Sequence, residues 1–400
     1  MKVRFGSLYK IPSRNGINRP SRMRGSGFKM INMGELFGNN RICDIPMELV
    51  PLNESEKSKF GVEVNDLLFA RQSIVAEGAG KCSIVAELGS EVVCFESHII
   101  RVRLDDSIAN PIYYYYFYQS DFGKALLASI RQQGVQAGIR GKDLETLSVP
   151  CPSIGLQRKI AMILSAYDEL IENNHKRIKL LEEKARQAYE EWFVRMRFPD
   201  CDSTPTDPDT GFPQGWESRR LVDEFEVKYG KGLGKKDMVK GGRYCVYGAS
   251  GVVGQHNVCT VETKTVLVGC RGTVGNVHRT FEPRAFVTNN SFTVVPVGRW
   301  ASASFTQVFE TVKRVPFKIS KSGSAQPQIT LKSLQGIQII CPTEELIAKW
   351  DSSFGLDLDE VDGLRKQIEL LAEARDILLP RLMTGVIDVE ELDVDVPMTA

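Results

Sequence analysis

The sequence predicts an α+β protein in which two copies of one domain are each followed by a long helix. Two observations lead to this fold class: a stretch of sequence recurs at an offset of 190 residues, and a charged segment with helical periodicity follows each copy. The length of 400 residues agrees, since it exceeds one typical domain and suits two or three. We expect a first domain at 1–152, a first long helix at 153–199, a second domain at 200–342, a second long helix at 343–385 and an acidic tail at 386–400.

The repeat is clearest where each domain ends. Residues 136–152 align with residues 326–342 without a gap, and each copy carries alternating apolar residues before a Cys-Pro pair. This pattern predicts a strand that ends at the Cys-Pro pair in both domains. The same offset continues into the following helix, where Leu156 matches Leu346. Identical residues in the first stretch are Gln136/Gln326, Ile139/Ile329, Lys142/Lys332, Leu144/Leu334, Cys151/Cys341 and Pro152/Pro342.

Weaker similarity lies upstream, at offsets that differ from 190 residues. The run A-R-Q-S at 70–73 resembles C-R-G-T at 270–273, and S-H-I-I from Ser97 resembles S-F-T-V from Ser291. Because the offsets vary, we expect the intervening loops to have gained and lost residues. The sequence thus predicts that the whole domain, and not only its end, is duplicated.

The segments that follow the two domains predict long helices that pair. From Gln157 to Arg197 the chain has no Pro or Gly, and these residues at about 1.5 Å each give a rod of about 60 Å. Apolar residues recur with a heptad pattern there and, less regularly, in the second segment, where Pro380 should kink or end the helix. Antiparallel pairing is favoured because the chain must return between the helices, although each helix could instead cover only its own domain. The predicted pairing residues are Leu164, Ile171, Asn174, Ile178, Leu181, Phe354, Val361, Leu364, Ile368 and Leu371.

Charge is segregated along the chain, although the formal net charge is only +1. Residues 1–34 contain eight Lys or Arg and no acid, and residues 228–243 contain six Lys or Arg with one acid. A third basic stretch, 313–332, has no acid, whereas residues 344–397 hold 15 Asp or Glu against five Lys or Arg. Solvated surface is one explanation of each basic stretch, but three of them together favour a surface that faces a polyanion.

Composition and motifs argue against several other classes. The nine cysteines contain no C-x-x-C pair and the four histidines no close spacing, so disulfide frameworks and metal centres are not expected. The chain has no apolar run of 18 residues and no secretory signal, which indicates a cytoplasmic protein without a membrane partner. Phosphate-binding glycine loops and an N-P-P-F or D-P-P-Y tetrapeptide are absent. Two alternatives stay open: a self-contained DNA methyltransferase or nuclease with divergent motifs, and a protein-binding coiled-coil scaffold.

Three motifs resemble one known family. The run S-A-Q-P-Q-I-T-L-K-S-L-Q-G-I-Q-I-I-C-P ends the second domain at Pro342, F-P-x-G-W starts at Phe212, and I-L-L-P-R-L-M-T-G spans 377–385. Together with the long helices, these motifs resemble the DNA specificity subunits of type I restriction-modification systems. The resemblance covers nearly the whole chain, but G-V-Q-A-G from Gly134 departs from the pattern S-G-[ST]-x-Q expected in the first domain.

The resemblance implies a non-catalytic subunit of an adenine methyltransferase and endonuclease complex that acts in phage defence. Each domain would be a target recognition domain that reads one part of a split, asymmetric sequence in double-stranded DNA. The helices would pair with pseudo-twofold symmetry, fix the unread spacer and dock two methyltransferase subunits, which use S-adenosylmethionine. Restriction subunits, which use ATP and Mg²⁺, would join this core, and the chain itself would need no cofactor.

Basic and amide side chains in glycine-containing loops are the candidates for DNA contact, because Lys and Arg neutralise phosphates while Arg, Gln and Asn bond to base edges. In the first domain they are Arg14, Arg19, Arg22, Arg24, Arg71, Arg131, Gln132, Gln133 and Gln136. In the second they are Lys235, Lys236, Arg271, Asn289, Asn290, Lys318, Lys321 and Gln326. Asn289 and Asn290 could instead be turn residues, and Gln136 and Gln326 could tie a loop to its strand. The aromatic run 113–118 is expected to pack in the core rather than stack on bases.

Overall fold

The chain divides into two compact units. The computed structural model describes residues 1–73, 75–132, 137–317 and 328–390. Unit 1 comprises Met1–Ile171 together with the chain from Glu369 onwards, and unit 2 comprises Glu172–Ile368. Unit 2 is therefore one continuous stretch of chain, whereas unit 1 is assembled from two stretches.

Unit 1 is an α+β domain with a central five-stranded sheet. Its strands are β1 (Lys2–Arg4), β2 (Tyr9–Asn15), β3 (Phe28–Ile31), β4 (Arg41–Ile42), β5 (Glu48–Val50), β6 (Leu67–Ala70), β7 (Gln72–Ser73), β8 (Cys82–Val85), β9 (Val93–Phe95), β10 (Ile99–Leu104), β11 (Ala137–Gly138) and β12 (Ser148–Pro150). Its helices are α1 (Met33–Gly38), α2 (Glu54–Phe60), α3 (Pro111–Gln119), α4 (Asp121–Ser129), α5 (Gly141–Glu145) and the first part of α6 (Ile154–Tyr189). The central sheet has the order β2-β10-β6-β8-β4, and a second sheet has the order β5-β3-β9. In two further pairs, β1 pairs with β12 and β7 pairs with β11.

Helix α3 fills the core of unit 1 with aromatic side chains. Asn110 caps this helix by accepting a hydrogen bond from the backbone N–H of Tyr113, and Pro111 fits its first turn. All six residues of the run 113–118 are at most 3% exposed, so the expectation of core packing is confirmed. Burial also raises the pKa of Tyr113 to about 12. Because each aromatic side chain buries about 150–250 Å², this helix supplies a large share of the apolar burial in unit 1.

Unit 2 is built on a central sheet of four strands. Its strands are β13 (Glu217–Arg220), β14 (Phe225–Tyr229), β15 (Tyr244–Gly248), β16 (Gly251–His256), β17 (Val266–Gly269), β18 (Val277–Arg279), β19 (Phe286–Val287), β20 (Ser291–Pro296) and β21 (Gln338–Cys341). Its helices are the second part of α6, then α7 (Leu221–Glu224), α8 (Phe305–Arg314), α9 (Leu331–Leu334), α10 (Glu344–Phe354) and the first part of α11 (Asp357–Met383). The central sheet has the order β14-β20-β17-β18, a second sheet has the order β16-β15-β19, and β13 pairs with β21.

A buried ion pair joins the sheet of unit 2 to α11. Arg279, on β18, lies 2.7 Å from the carboxylate of Asp362, on α11, and is 5% exposed. Lys264 contacts the same carboxylate at 2.9 Å. The Arg279 guanidinium also lies 5.2 Å from the ring centroid of Phe281. The cation is therefore enclosed by an acid and an aromatic ring, which offsets the cost of removing it from water.

The strand pairing of unit 2 reproduces that of unit 1. Strand β3 pairs antiparallel with β5 and parallel with β9, just as β15 pairs antiparallel with β16 and parallel with β19. At the 190-residue offset, Val149 on β12 pairs with Val3, and Ile339 on β21 pairs with Arg219. The predicted strands before the two Cys-Pro pairs are therefore present, and the duplication extends over whole domains.

The backbone corrects the upstream alignment of A-R-Q-S with C-R-G-T. Gln72 pairs with Gly138, whereas Arg271 pairs with Gln328, which lies 190 residues beyond Gly138. Gln72, and not Arg71, therefore occupies the position of Arg271. A four-residue similarity is too short to fix the register, and here it is wrong by one residue.

The second upstream alignment is also wrong, by two residues. Ala70 on β6 pairs with Ile99 on β10, as Gly269 on β17 pairs with Ser291 on β20. Ile99, and not Ser97, is therefore the structural equivalent of Ser291. The register comes from the strand pairing, which sequence similarity alone did not reveal.

A long helical segment follows each of the strands β12 and β21. Helix α6 starts at Ile154 and continues beyond Tyr189 as a short π-helical turn to Val194. The second helical segment is divided, because α10 ends at Phe354 before α11 begins. Helix α11 passes through Pro380 and ends three residues later, since proline lacks the N–H that the preceding turn requires.

Within unit 1, the first part of α6 packs on the last part of α11. Leu164 of α6 belongs to one core cluster with Leu379 and Leu382 of α11. Arg375 of α11 donates a hydrogen bond to the carboxylate of Asp168 on α6 at 2.5 Å. The contact between these helical parts is therefore apolar with a partly buried ion pair at its side.

Within unit 2, the second part of α6 packs on the first part of α11. Three contacts, in order along α6, are Asn174 with Gln367, Ile178 with Leu364 and Lys184 with Asp357. Because the α11 numbers fall as the α6 numbers rise, these two parts run antiparallel. Asn174 donates to Gln367 at 3.3 Å, so a polar pair lies within the apolar seam.

The other predicted pairing residues divide between this seam and its ends. Leu181, Val361 and Ile368 pack in the cluster around Ile178. Phe354 lies instead at the end of α10, where its ring meets that of Trp192 at 6.1 Å between centroids. Ile171 and Leu371 are half-buried.

Three further findings concern the part of the chain that the structure describes. No helix there is long and apolar enough to cross a membrane, and no three His, Cys, Asp or Glu side chains group as metal ligands. All nine cysteines are free thiols, and burial raises the pKa of Cys94 to about 12.

Candidate nucleic-acid interface

Three strand ends meet at one edge of the unit 2 sheet. Strand β14 ends at Tyr229 and β17 at Gly269, and the antiparallel strand β20 begins between them at Ser291. The loop after β14 is tied to β19, since the N–H of Lys231 donates to the carbonyl of Val287 at 2.9 Å. We name the loops 230–243, 270–276 and 288–290 the unit 2 strand-end surface.

Gly230 allows the first of these loops to approach the sheet. A Cβ atom at this position would lie 2.3 Å from the carbonyl oxygen of Thr288. Gly16 is its equivalent in unit 1, where a Cβ atom would lie 2.1 Å from the carbonyl oxygen of Phe95. Glycine is therefore required at both strand ends by close backbone approach.

The unit 2 strand-end surface carries exposed cations that no acid in the described part of the chain neutralises. The cations that are exposed and form no ion pair with any residue the structure describes are Lys231, Lys235, Lys236, Lys240, Arg243 and Arg271. Lys228, on the neighbouring strand, is instead paired with Glu226 at 2.7 Å. Clustered unpaired cations produce a positive potential that attracts a polyanion.

Arg271 is held over the ring of Tyr229, with its guanidinium carbon 5.9 Å from the ring centroid. Tyr229 packs on the fully buried Phe292 at 4.7 Å between centroids, and it is 39% exposed. The backbone N–H of Arg271 donates to the carbonyl of Asn290 at 3.2 Å. This arginine thus offers an oriented, exposed guanidinium, which suits bidentate bonding to a pair of acceptors.

Asn289 and Asn290 connect the loops through their backbones. The N–H of Asn289 donates to the carbonyl of Lys231 at 3.0 Å, and the carbonyl of Asn290 accepts from the N–H of Cys270 at 2.8 Å. Burial raises the pKa of the Cys270 thiol beneath them. These backbone roles agree with the turn alternative, while the side chain of Asn290 is exposed on the surface.

The equivalent edge of unit 1 also carries exposed arginines. We name residues 16–27, 71–73 and 96–98, with the adjoining end of β2, the unit 1 strand-end surface. Arg14, on β2, is exposed, and its guanidinium lies 6.0 Å from the ring centroid of Phe60. Arg22 is exposed and makes no ion pair with the described residues. Both predicted contacts are therefore available to a ligand.

Arg19 and Arg24 are occupied by acids of the same unit. Arg19 contacts Glu56 at 2.6 Å, and this hydrogen bond lowers the pKa of the Glu56 carboxyl. Arg24 contacts Glu48 at 2.7 Å. These arginines hold the loop before β3 in place, and part of their donor capacity is used within the protein.

The remaining predicted contacts of unit 1 are tied to neighbouring loops. Arg71 donates to a carbonyl oxygen at 3.3 Å, Arg131 donates to another at 2.8 Å, and Gln132 donates to the Asp143 carboxylate at 3.3 Å. Five predicted contacts lie outside the described residues, namely Gln133, Gln136, Lys318, Lys321 and Gln326.

Sequence reasoning missed Gln72, Tyr229 and Lys231 as candidates for these surfaces. Gln72 was hidden by the one-residue error in the upstream alignment. Lys231 belongs to a basic stretch that was recognised, and its place directly after a glycine was the available signal. Tyr229 had no such signal, because an aromatic residue at the end of a strand usually packs in the core.

The fold defines a class of protein with two copies of one α+β domain, two long helices and a basic surface at equivalent strand ends. A family model described as the type I restriction modification DNA specificity domain matches residues 2–183 and 213–369. The chain therefore belongs to the type I restriction-modification DNA specificity family. The resemblance inferred from its motifs is confirmed, and the chain is a specificity subunit without a catalytic role.

Curated relatives and a solved structure agree with this family. The type I restriction enzyme MjaIX specificity subunit of Methanocaldococcus jannaschii is 24% identical over 305 residues, which cover 70% of each chain. The putative MjaX specificity subunit of the same organism is 23% identical over 356 residues, covering 85% of this chain and 82% of the relative. The crystal structure of a type I restriction-modification S subunit from M. genitalium is 18% identical and matches 96% of this chain and 95% of its own with a TM-score of 0.66. This last similarity concerns the fold.

Proposed function

We propose that this chain reads a split, asymmetric sequence in double-stranded DNA, one part with each unit, for a type I restriction-modification complex. One observation carries the proposal: the same strand arrangement occurs in both units, and each strand-end surface has exposed cations that are not paired with an acid. These cations include Lys235 and Arg271 in unit 2 and Arg14 and Arg22 in unit 1. Both surfaces would bind phosphates in the same way, whereas their different side chains would read different bases. The other predicted DNA contacts belong to the same proposal.

The long helices would form a continuous antiparallel coiled coil with pseudo-twofold symmetry that sets the unread spacer. Contacts inside each unit support this, including Asp168 with Arg375 and Asn174 with Gln367. A polar pair in an apolar seam favours one register over others, because a shifted register would bury it without a partner. The domain and helix ranges predicted from the sequence remain part of this proposal.

The outward faces of the helices would dock two methyltransferase subunits, which bind S-adenosylmethionine and methylate adenine. Exposed apolar side chains support docking, since Leu170 and Leu180 on α6 are 51% and 69% exposed, and Leu370 on α11 is 53% exposed. Restriction subunits, which use ATP and Mg²⁺, would join this core. The specificity chain would bind no cofactor itself, and the complex would act in the cytoplasm.

Lengthening both helices tests the spacer role. Seven residues inserted between Asn174 and Ile178, and seven between Leu364 and Gln367, keep the heptad register and add about 10 Å. Because B-DNA rises about 3.4 Å per base pair, we expect the spacer to grow by about three base pairs while both read parts stay unchanged. Mapping methylated adenines in DNA from cells that carry the complete system measures the spacer.

The matched control is the same insertion in α6 alone. Helices of unequal length cannot keep their pairing, so methylation should be lost. A wild-type system that modifies an uninterrupted target, or a double insertion that leaves the spacer unchanged, would contradict the proposal.

A further inference from the structure

We infer that the two units read different bases at one structurally equivalent position, with Arg271 of unit 2 bonding to guanine and Gln72 of unit 1 bonding to adenine. The inference rests on the proposed function and adds one base identity to each part of the target. Tyr229 is the positioning residue that orients Arg271.

The two side chains leave the backbone at the same place in each unit. Gln72 pairs with Gly138, and Arg271 pairs with Gln328 at the 190-residue offset. The carbonyl of the residue before Gln72 accepts a hydrogen bond from an isoleucine N–H at 2.9 Å, and the carbonyl of the residue before Arg271 accepts one from an isoleucine N–H at 3.0 Å. A DNA duplex bound in the same manner by both units would therefore meet Gln72 and Arg271 at corresponding positions.

Most arginines of unit 2 are committed to acids, and Arg271 is not. The committed arginines are Arg177, Arg186, Arg195, Arg197, Arg219, Arg220, Arg279, Arg299, Arg314 and Arg365. Arg271 is exposed on the strand-end surface, pairs with no acid in the described ranges and lies over Tyr229. Its outer N–H groups are thus free to bond to a ligand, and its contact with the ring limits the directions in which they point.

Unit 1 offers amides where unit 2 offers Tyr229 and Arg271. Gln72 replaces Arg271, and Asn15, at the end of β2, replaces Tyr229 in the strand pairing. Neither amide side chain hydrogen-bonds to another residue that the structure describes. The adjacent Arg71 is bonded to a loop carbonyl, so an amide is the polar group that unit 1 presents at this position.

The chemistry of base edges assigns a base to each side chain. Guanine presents two acceptors in the major groove, O6 and N7, which match the paired N–H groups of a guanidinium. Adenine presents the N7 acceptor beside the N6 donor, which match the donor and acceptor of a glutamine amide. One bidentate contact discriminates against the wrong base by about 5- to 150-fold.

Exchanging the two side chains tests the inference in the complete methyltransferase complex. Arg271→Gln should change one position of one target part from guanine to adenine, and Gln72→Arg should make the reverse change in the other part. Each preference should move by about 5- to 150-fold, with the spacer and all other positions unchanged. Methylated-adenine mapping and a binding selection from randomised duplexes both measure the preference.

Arg220→Gln is the matched control. This exposed arginine of unit 2 is paired with Asp223 at 2.8 Å, so its replacement should leave the target unchanged. An unchanged target from Arg271→Gln, or an equal loss at all positions, would overturn base reading by Arg271. If Arg271→Gln abolishes methylation, the binding selection from randomised duplexes still tests base reading by Arg271. A retained preference for guanine, or a loss of binding to every duplex, would also overturn base reading by Arg271. A wild-type complex without a split target contradicts the proposed function instead.

Tyr229 is tested by a pair of variants. Tyr229→Leu removes the ring beneath Arg271 and should lower the guanine preference at that position alone by about 2- to 5-fold. Tyr229→Phe keeps the ring and should retain the preference. An equal loss at every position of that target part would show a merely structural role and overturn the positioning role.

Discussion

At the scale of single residues, the sequence reveals charge but not whether a cation is free. Arg19, Arg24 and Arg271 look alike, since each lies in a loop near glycine. The folded chain brings Glu56 to Arg19 and Glu48 to Arg24, from positions far along the sequence. Only tertiary structure could separate these arginines from Arg271, and for that reason the candidate site was predicted in part.

The buried pair of Arg279 and Asp362 should contribute strongly to the stability of unit 2. Arg279→Met leaves the Asp362 carboxylate, only 11% exposed, with Lys264 as its remaining partner, and the free energy of unfolding should fall by about 1–3 kcal/mol. Urea denaturation of the full chain measures this change. Arg220→Met, which removes the exposed pair with Asp223, should cost about 0–1 kcal/mol. Equal effects of the two substitutions would disprove the stabilising role of burial.

At the scale of elements, the sequence predicted those strands and helices that follow from the spacing of apolar residues along the chain. The strands before the Cys-Pro pairs and the long helices follow from alternation and heptad periodicity, which neighbouring residues set. The parallel pairing of β3 with β9 and of β15 with β19 was not predicted, because each pair joins segments separated by other strands. Loops of different length then hid the equivalence of Gln72 and Arg271.

The close approach of Gly230 to the sheet should control the loop that carries the unit 2 cations. Gly230→Ala places a Cβ against the carbonyl of Thr288, so the loop must move, and we expect a loss of about 1–3 kcal/mol in stability together with weaker DNA binding. Gly232→Ala is the matched control, because its Cβ would meet only an Asn289 side-chain atom at 3.9 Å. Thermal unfolding and DNA titration compare the two variants, and indistinguishable results would refute the steric argument.

At the scale of the whole molecule, the sequence predicted two copies of a domain and two helices in the correct order. It did not predict that each unit takes half of each long helix, with α6 divided after Ile171 and α11 divided after Ile368. The periodicity of apolar residues predicts where a helix forms and which face is apolar. The division of a helix between two units depends instead on the residues that each half packs against. The sequence predicted separate basic stretches of the chain. It did not predict that three loops come together at one end of the sheet, so that their cations form a single surface.

Phosphate binding by the unit 2 strand-end surface should appear in the salt dependence of DNA affinity. Replacing both Lys235 and Lys236 by Gln should reduce the slope of log affinity against log salt by about 2, because each phosphate contact contributes about 0.9. The base preference should stay the same, since these contacts carry no sequence information. Lys228→Gln, at a lysine already paired with Glu226, should change the slope less. A double variant with the wild-type slope would exclude these two lysines from the interface.

The continuity of unit 2 also has a consequence for synthesis on the ribosome. Residues 172–368 emerge as one uninterrupted run, so this half of the molecule is complete before the other, although it is encoded later. Unit 1 begins first yet must wait for Leu379 and Leu382, which are synthesised after all of unit 2, to cover its core. A nascent chain halted shortly before those residues would carry one finished unit and one with an open apolar face.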